Sequence, residues 1–185
     1  LAKGIYFCTR FNTMNTLLFT LVFNMVGFNF YFDGAQNTEE TPVFDYSSVE
    51  MRRDCMVDSL MTRATACLGA KYQYGGTSKA GFDCSGFMNY VFSAFDINLP
   101  RSSSEIARLG VKVDFEDLLP GDLVFFNGRK AGGPQVGHVG MIIQKTKNGF
   151  KMIHASVSKG VRIDDYHDPY YKARFLFGKR LELVD

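Results

Sequence analysis

Three side chains, far apart along the chain, carry the chemistry open to this sequence. Cys84 stands in GFDCSGF, just before an amphipathic segment whose apolar face is Phe87, Val91, Ala94 and Phe95. A thiol at a helix N-terminus meets the positive end of the dipole and unpaired N–H groups, so its pKa is expected to fall. The same N–H groups can hold an oxyanion. His138 in GHVGMII and His154 in FKMIHASV occupy strand-like patterns between apolar neighbours. Their separation of 16 is even, so a regular hairpin with its tip near Thr146 points both imidazoles to one face, with Cβ atoms ~5 Å apart. The Asn148-Gly149 turn signal lies slightly past that midpoint, and only a bulge or a longer loop reconciles the two. A thiolate, a base for its proton and a third polar group that fixes the base's tautomer make a nucleophilic constellation. Two bland alternatives stand beside it: a buried structural cysteine, and a metal site with His167 as a fourth ligand. The spacings of 54, 16 and 13 residues lack the short paired intervals of zinc motifs, so no metal and no other cofactor is expected.

The elements that must position these residues fall into two textures. Met56, Leu60, Ala64 and Cys67 step by four, four and three before Gly69, and Ser47 with Glu50 has capping-box spacing, which predicts an amphipathic helix. Cys55 and Cys67 lie too far apart on it for a disulfide and read as core thiols. Beyond Arg101 come β-branched and aromatic runs at 123–126, 138–143, 150–157, 160–163 and 175–183, separated by turn signals at Pro120-Gly121, Asn127-Gly128 and Asn148-Gly149. Helices first and an antiparallel sheet second is an α+β layout.

The ordered motifs YQYGGTSKAGFDCSGF, LPRSS, LLPGDLVFF, GHVGMI and IHAS resemble those of the NlpC-type cell-wall cysteine peptidases, a branch of the papain-like superfamily. The resemblance covers roughly Cys55 to Val184. It implies a papain-like α+β fold, with the cysteine on a helix packed against an antiparallel sheet. It also implies hydrolysis of peptidoglycan stem peptides, commonly between D-glutamate and a diamino acid. By the same resemblance Cys84 is the nucleophile, His138 the general base and His154 the third polar residue. Tyr72 would line the pocket, Asp83 and Ser85 would receive the substrate's amino end, and Arg101 and Ser102 would form another wall. Structural uses compete for these five: a buried tyrosine, a helix cap, an arginine in a surface pair. Two rival functions are a papain-like amidase or acyltransferase on a non-wall substrate, and a wall-binding protein without turnover.

The rest of the chain bounds where this chemistry takes place. With 185 residues, 46% apolar and 15% aromatic, the chain can bury a core, which excludes a disordered chain and a disulfide-stapled miniprotein. Lysine and arginine number 21 against 19 acidic residues, a net charge of +2, so nucleic acid is not an expected partner. The four cysteines at 8, 55, 67 and 84 form no CxxC pair. From Phe11 to Phe32 no side chain is charged, Lys3 and Arg10 precede that stretch, and Gly34-Ala35 follow it. Residues 1–35 therefore read as a signal peptide or a retained membrane anchor. Residues 36–46 read as a linker and 47–185 as the peptidase domain. Export to the cell envelope or periplasm fits a peptidoglycan substrate, and the membrane would be met only through an uncleaved N-terminus.

Overall fold

A computed structural model describes residues 49–128 and 131–183. The N-terminal segment 1–35, the linker 36–46 and the capping position Ser47 lie outside the described residues. The first helix, α1 (Val49–Thr65), turns one stripe inward: Val57, Leu60 and Ala64 are buried, and Cys67 joins them just past its end. Cys55 is half-buried on the flank of that stripe, so of the two expected core thiols only Cys67 lies in the core. A two-stranded hairpin follows, β1 (Thr77–Ser78) and β2 (Gly81–Phe82), and leads into α2 (Cys84–Phe92). A short α3 (Ser103–Ile106) comes next.

Six strands then build one antiparallel sheet in the order β3-β8-β4-β5-β6-β7. They are β3 (Val111–Val113), β4 (Leu123–Asn127), β5 (Val136–Thr146), β6 (Gly149–Ser156), β7 (Gly160–Asp165) and β8 (Phe175–Arg180), with a one-turn helix α4 (Pro169–Lys172) between the last two. Side chains alternate between the faces of a strand, and here both faces are covered. Leu123, Phe125, Val139, Met141, Ile153 and Ala155 pack against Phe87, Met88, Val91 and Phe92 of α2 and against α1. Val124, Phe126, Ile142, Phe150 and Met152 form a second core on the other face with Leu118 and Tyr171. This double cover explains why Leu123 to Phe126 of β4 read as an unbroken apolar run and why the strand is buried throughout.

Candidate active site

Cys84 is the first residue of α2. Asp83 caps that helix, its carboxylate accepting from the Gly86 amide at 2.7 Å. A Cβ at Gly86 would lie 2.0 Å from the Gly76 carbonyl oxygen, so only glycine lets the hairpin loop close over the first turn. These constraints hold the thiol at the helix end, half-buried, beside the likewise half-buried Tyr72. The amides of Val139, of Ser85 and of Cys84 itself lie close enough to the sulfur to favour its thiolate. The β5–β6 ladder ends at Met141↔Ile153, so the Val139 amide lies beyond it, and the sulfur reaches the edge of β5 one residue from His138.

The expected fall of the Cys84 pKa is not what the structure gives. Burial pushes the thiol up, the Asp83 charge adds to that, and these amides offset only part of it. The helix-end effect is real but falls off within one turn and gives about 1 kcal/mol or less, while desolvation of a buried charge costs more. His138 moves the opposite way: burial of the ring pushes it down to about 3, a proton on His154 would act in the same direction, and Asp164 pulls against both. The pair rests as thiol and neutral imidazole.

The two imidazoles are joined. His138 Nε2 lies 2.9 Å from His154 Nδ1, the rings edge to face with centroids 4.9 Å apart. They are not directly opposite. By the register Met141↔Ile153, His154 stands across from Gly140, where an added Cβ would meet the His154 Cβ at 3.2 Å, and His138 is its diagonal neighbour on the same face. That face carries Phe126 and Tyr171, whereas the sulfur comes to β5 from the α2 side. The contact to His154 occupies Nε2 of His138 and leaves Nδ1 as the ring nitrogen available to a thiol.

Sequence reasoning missed what lies behind His154. His154 is buried, and its Nε2 is 2.9 Å from Asp164 Oδ2 and 3.2 Å from the Tyr171 hydroxyl. Tyr171 donates to the same carboxylate oxygen at 2.7 Å, and Arg162 pairs with Oδ1 at 2.6 Å. Desolvation of Asp164 favours its neutral form, but the hydrogen bonds from His154 and Tyr171 and the charge of Arg162 outweigh it and hold the carboxyl at about 2. The signal that could have found this was the tight return between Ser156 and Gly160, whose pairing sets Arg162 opposite His154 and Asp164 two residues on. A cleft of about 400 Å³ opens on this side, walled by His138, His154, Lys159, Arg162, Asp168 and Tyr170 among others; Cys84 is not in its wall.

The remaining expected site residues divide. Arg101 clamps Asp83 with contacts of 3.0 and 2.5 Å and also donates to the Ser85 hydroxyl at 2.9 Å. Asp83 accepts further bonds from the Gly75 and Gly86 amides and from Ser85. Although desolvation opposes it, the bond from Arg101 and those from the amides keep Asp83 below the usual carboxylate range. These three residues form one cluster, in which the Arg101 side chain stays 47% exposed. Ser102 does not join it: its hydroxyl caps α3 in a reciprocal pair with Glu105. His167 lies in an exposed turn, and among the described residues no group of side chains is arranged to hold a metal ion.

An antiparallel sheet with a helix-borne cysteine at a strand edge and two joined histidines on its strands is the architecture of papain-like cysteine peptidases. Residues 69–180 match the NlpC/P60 family, and the chain belongs to that family. It is 44% identical over 115 residues to the probable endopeptidase NlpC of Escherichia coli K12, across 61% of this chain and 70% of that one. It is 38% identical over 133 residues to the gamma-DL-glutamyl hydrolase of Bacillus subtilis 168, across 71% of this chain but only 31% of the relative. An NlpC/P60 family protein of Bacillus cereus has a solved structure that superposes with a TM-score of 0.61 at 36% identity, covering 67% of this chain and 39% of that one.

Proposed function

We propose that this chain is a cysteine endopeptidase that hydrolyses peptidoglycan stem peptides at the bond from D-glutamate to the diamino acid. The observations that carry this are the Cys84 sulfur near the Val139 amide, at the residue that follows His138 in β5, and the His138 ring held by His154 at 2.9 Å. Relatives named as an endopeptidase and a glutamyl hydrolase support peptidase action at a glutamyl bond.

In this mechanism Nδ1 of His138 takes the thiol proton as the sulfur attacks the scissile carbonyl, so charge appears only as the bond forms. The amides of Cys84 and Ser85 at the start of α2 receive the oxyanion. His138 then protonates the leaving amine, and water activated by the same imidazole resolves the acyl-enzyme. The leaving half of the substrate is proposed to lie on the imidazole side, in the cleft between His138 and Tyr170. Asp83 has its acceptor sites filled, so at the other end the exposed guanidinium of Arg101 and the Tyr72 hydroxyl are the groups free to meet substrate, with Asp83 and Ser85 setting the arginine's position. Ser102 supports that wall by capping α3. Residues 1–35 act as an export signal or an anchor, residues 36–46 as a spacer, and the enzyme works in the cell envelope.

The test is incubation with defined tri- and tetrapeptide stems, read by mass spectrometry. Products split between D-glutamate and the diamino acid are expected, and Cys84→Ala should abolish them while leaving the circular dichroism spectrum intact. Cleavage only at another bond would refute the bond assignment. Equal turnover by the Cys84→Ala variant would refute the whole scheme. Transfer of the acyl group to an added amine in preference to water would favour the acyltransferase alternative.

A further inference from the structure

The carboxylate behind the second histidine determines more than that histidine. An ionised carboxylate only accepts hydrogen bonds. Asp164 Oδ2, at 2.9 Å from His154 Nε2, therefore requires the proton of a neutral His154 to sit on Nε2. That leaves His154 Nδ1 as a bare acceptor. The 2.9 Å contact to His138 Nε2 then requires a hydrogen on that nitrogen, and in neutral imidazole only one nitrogen carries one. Nδ1 of His138 is consequently unprotonated, the form a base needs toward a thiol.

We propose that Asp164 is a positioning residue that fixes the tautomers of His154 and His138 in series, so that His138 presents its Nδ1 lone pair to Cys84. The proposal rests on the peptidase reading above for its consequence in turnover, but not for the tautomers themselves. Tyr171 shows why a carboxylate is needed at this place. Its hydroxyl is 3.2 Å from His154 Nε2 and can either donate or accept. With Asp164 present, its proton goes to the carboxylate at 2.7 Å, so toward His154 it can only accept. Without Asp164 the hydroxyl is free to donate to Nε2. Every bond in the series then reverses, Nδ1 of His138 carries the hydrogen, and the thiol has no base. Arg162, on the other carboxylate oxygen at 2.6 Å, keeps Asp164 ionised and aimed.

The balance of the step is simple. The S–H bond of Cys84 breaks and an N–H bond forms at His138 Nδ1, giving thiolate and imidazolium. His138 Nε2–H still donates to His154, and His154 Nε2–H still donates to Asp164. No proton passes to the carboxylate, which acts by its charge and its acceptor lone pair. The charged and titratable groups around the pair are Asp164 and Arg162 from β7 and Tyr171 from α4, with Lys159, Asp168, Tyr170 and Arg174 also in the cleft wall.

The experiment is nitrogen NMR of the imidazoles in full-length chain labelled at histidine, beside steady-state kinetics on a stem peptide. In the unsubstituted chain both His138 and His154 should be Nε2–H tautomers near neutral pH. Asp164→Ala should bring in the Nδ1–H form at both rings and lower kcat by about 10- to 100-fold with KM unchanged. That is less than the ~10⁴-fold seen when a serine triad loses the carboxylate touching its base, because here an imidazole intervenes. Asp164→Glu should restore the tautomers and part of kcat, and Tyr171→Phe should leave the tautomers as they are. Asp164→Asn, close in shape, serves if the alanine variant does not fold, and it should show a mixture. A Nδ1–H tautomer at His138 in the unsubstituted chain would overturn the proposal, as would a fall in thermal stability with unchanged spectra and unchanged kcat. Correct tautomers in a chain that cleaves no stem peptide would uphold it and sink the peptidase reading alone.

Discussion

The imidazole of His138 is kept uncharged by its surroundings, and that has a thermodynamic consequence separable from catalysis. In the unfolded chain the ring takes a proton near pH 6.5, whereas in the fold burial above all pushes its pKa down to about 3. Between those values the unfolded state binds more protons, so stability falls as pH drops from 6.5 toward 3. Asp164 behaves likewise one window lower. Its contribution is complete above the unfolded carboxylate value of ~4 and disappears as pH falls through about 2. We expect the melting temperature of the natural chain to decline from pH 6.5 to pH 4.5, and that of His138→Gln to decline measurably less, by scanning calorimetry in matched buffers. Parallel curves would mean that the ring is not held neutral. The uncharged resting pair also bears on Cys84: its alkylation by iodoacetamide should still be accelerating above pH 8, without the acid-side plateau of a preformed thiolate.

At the level of the strand, the irregularity in β5 decides which way His154 faces relative to His138. The turn at Lys147 and Asn148 pairs Thr146 with Gly149, Lys145 with Phe150 and Gln144 with Lys151. Continued without a break, that register would set His154 across from Met141, on the face opposite to His138. Instead Ile142 pairs with Met152, and Ile143 is the unpaired extra residue. One residue absorbed by a bulge flips the parity, and both rings come to one side. Deleting Ile143 should leave every cross-strand pair of β5 and β6 in place, so activity should stay within about tenfold of the natural chain. A folded but inactive deletion variant, with activity down by the ~10²-fold that a misplaced reacting group costs, would show that the bulge itself shapes the site. This is also where legibility in the sequence ended. The even spacing of the histidines, the apolar run of β4 and the periodic stripe of α1 could be read residue by residue, because each depends on local alternation. The bulge could be read only as one of two alternatives, and its place at Ile143, the edge strand β3 and the approach of Asp164 and Tyr171 to His154 depend on register between strands and on a one-turn helix, neither of which has a periodicity of its own. The burial that raises the Cys84 pKa is likewise a property of packing, invisible next to the local helix-end effect.

Across the whole domain, stability and chemistry are placed at opposite ends of the same strands. Asp122, fully buried just before β4, accepts two bonds of 2.8 Å from Arg180 of β8, one from the Leu119 amide at 2.8 Å and a longer one of 3.4 Å from Arg53 of α1. It thus ties the first helix, the loop before β4 and the last strand together. Its carbonyl also receives the Ile142 amide, at the middle of β5, while His138 lies near that strand's start. Removing one side of a buried ion pair leaves the other charge and the Leu119 amide without compensation, at a cost of about 3–5 kcal/mol. Arg180 and Arg53 keep 29% and 20% of their side chains exposed and can be partly rehydrated, which puts Asp122→Ala near the lower bound, about 3 kcal/mol. The expected outcome is a lower urea midpoint with an unchanged slope, together with a kcat per folded molecule equal to that of the natural chain, because no site residue touches Asp122. A fall in kcat measured well below the unfolding transition would mean that strain at this end of β4 travels along β5 to the histidines, and the two ends of the sheet would then have to be treated as one coupled unit.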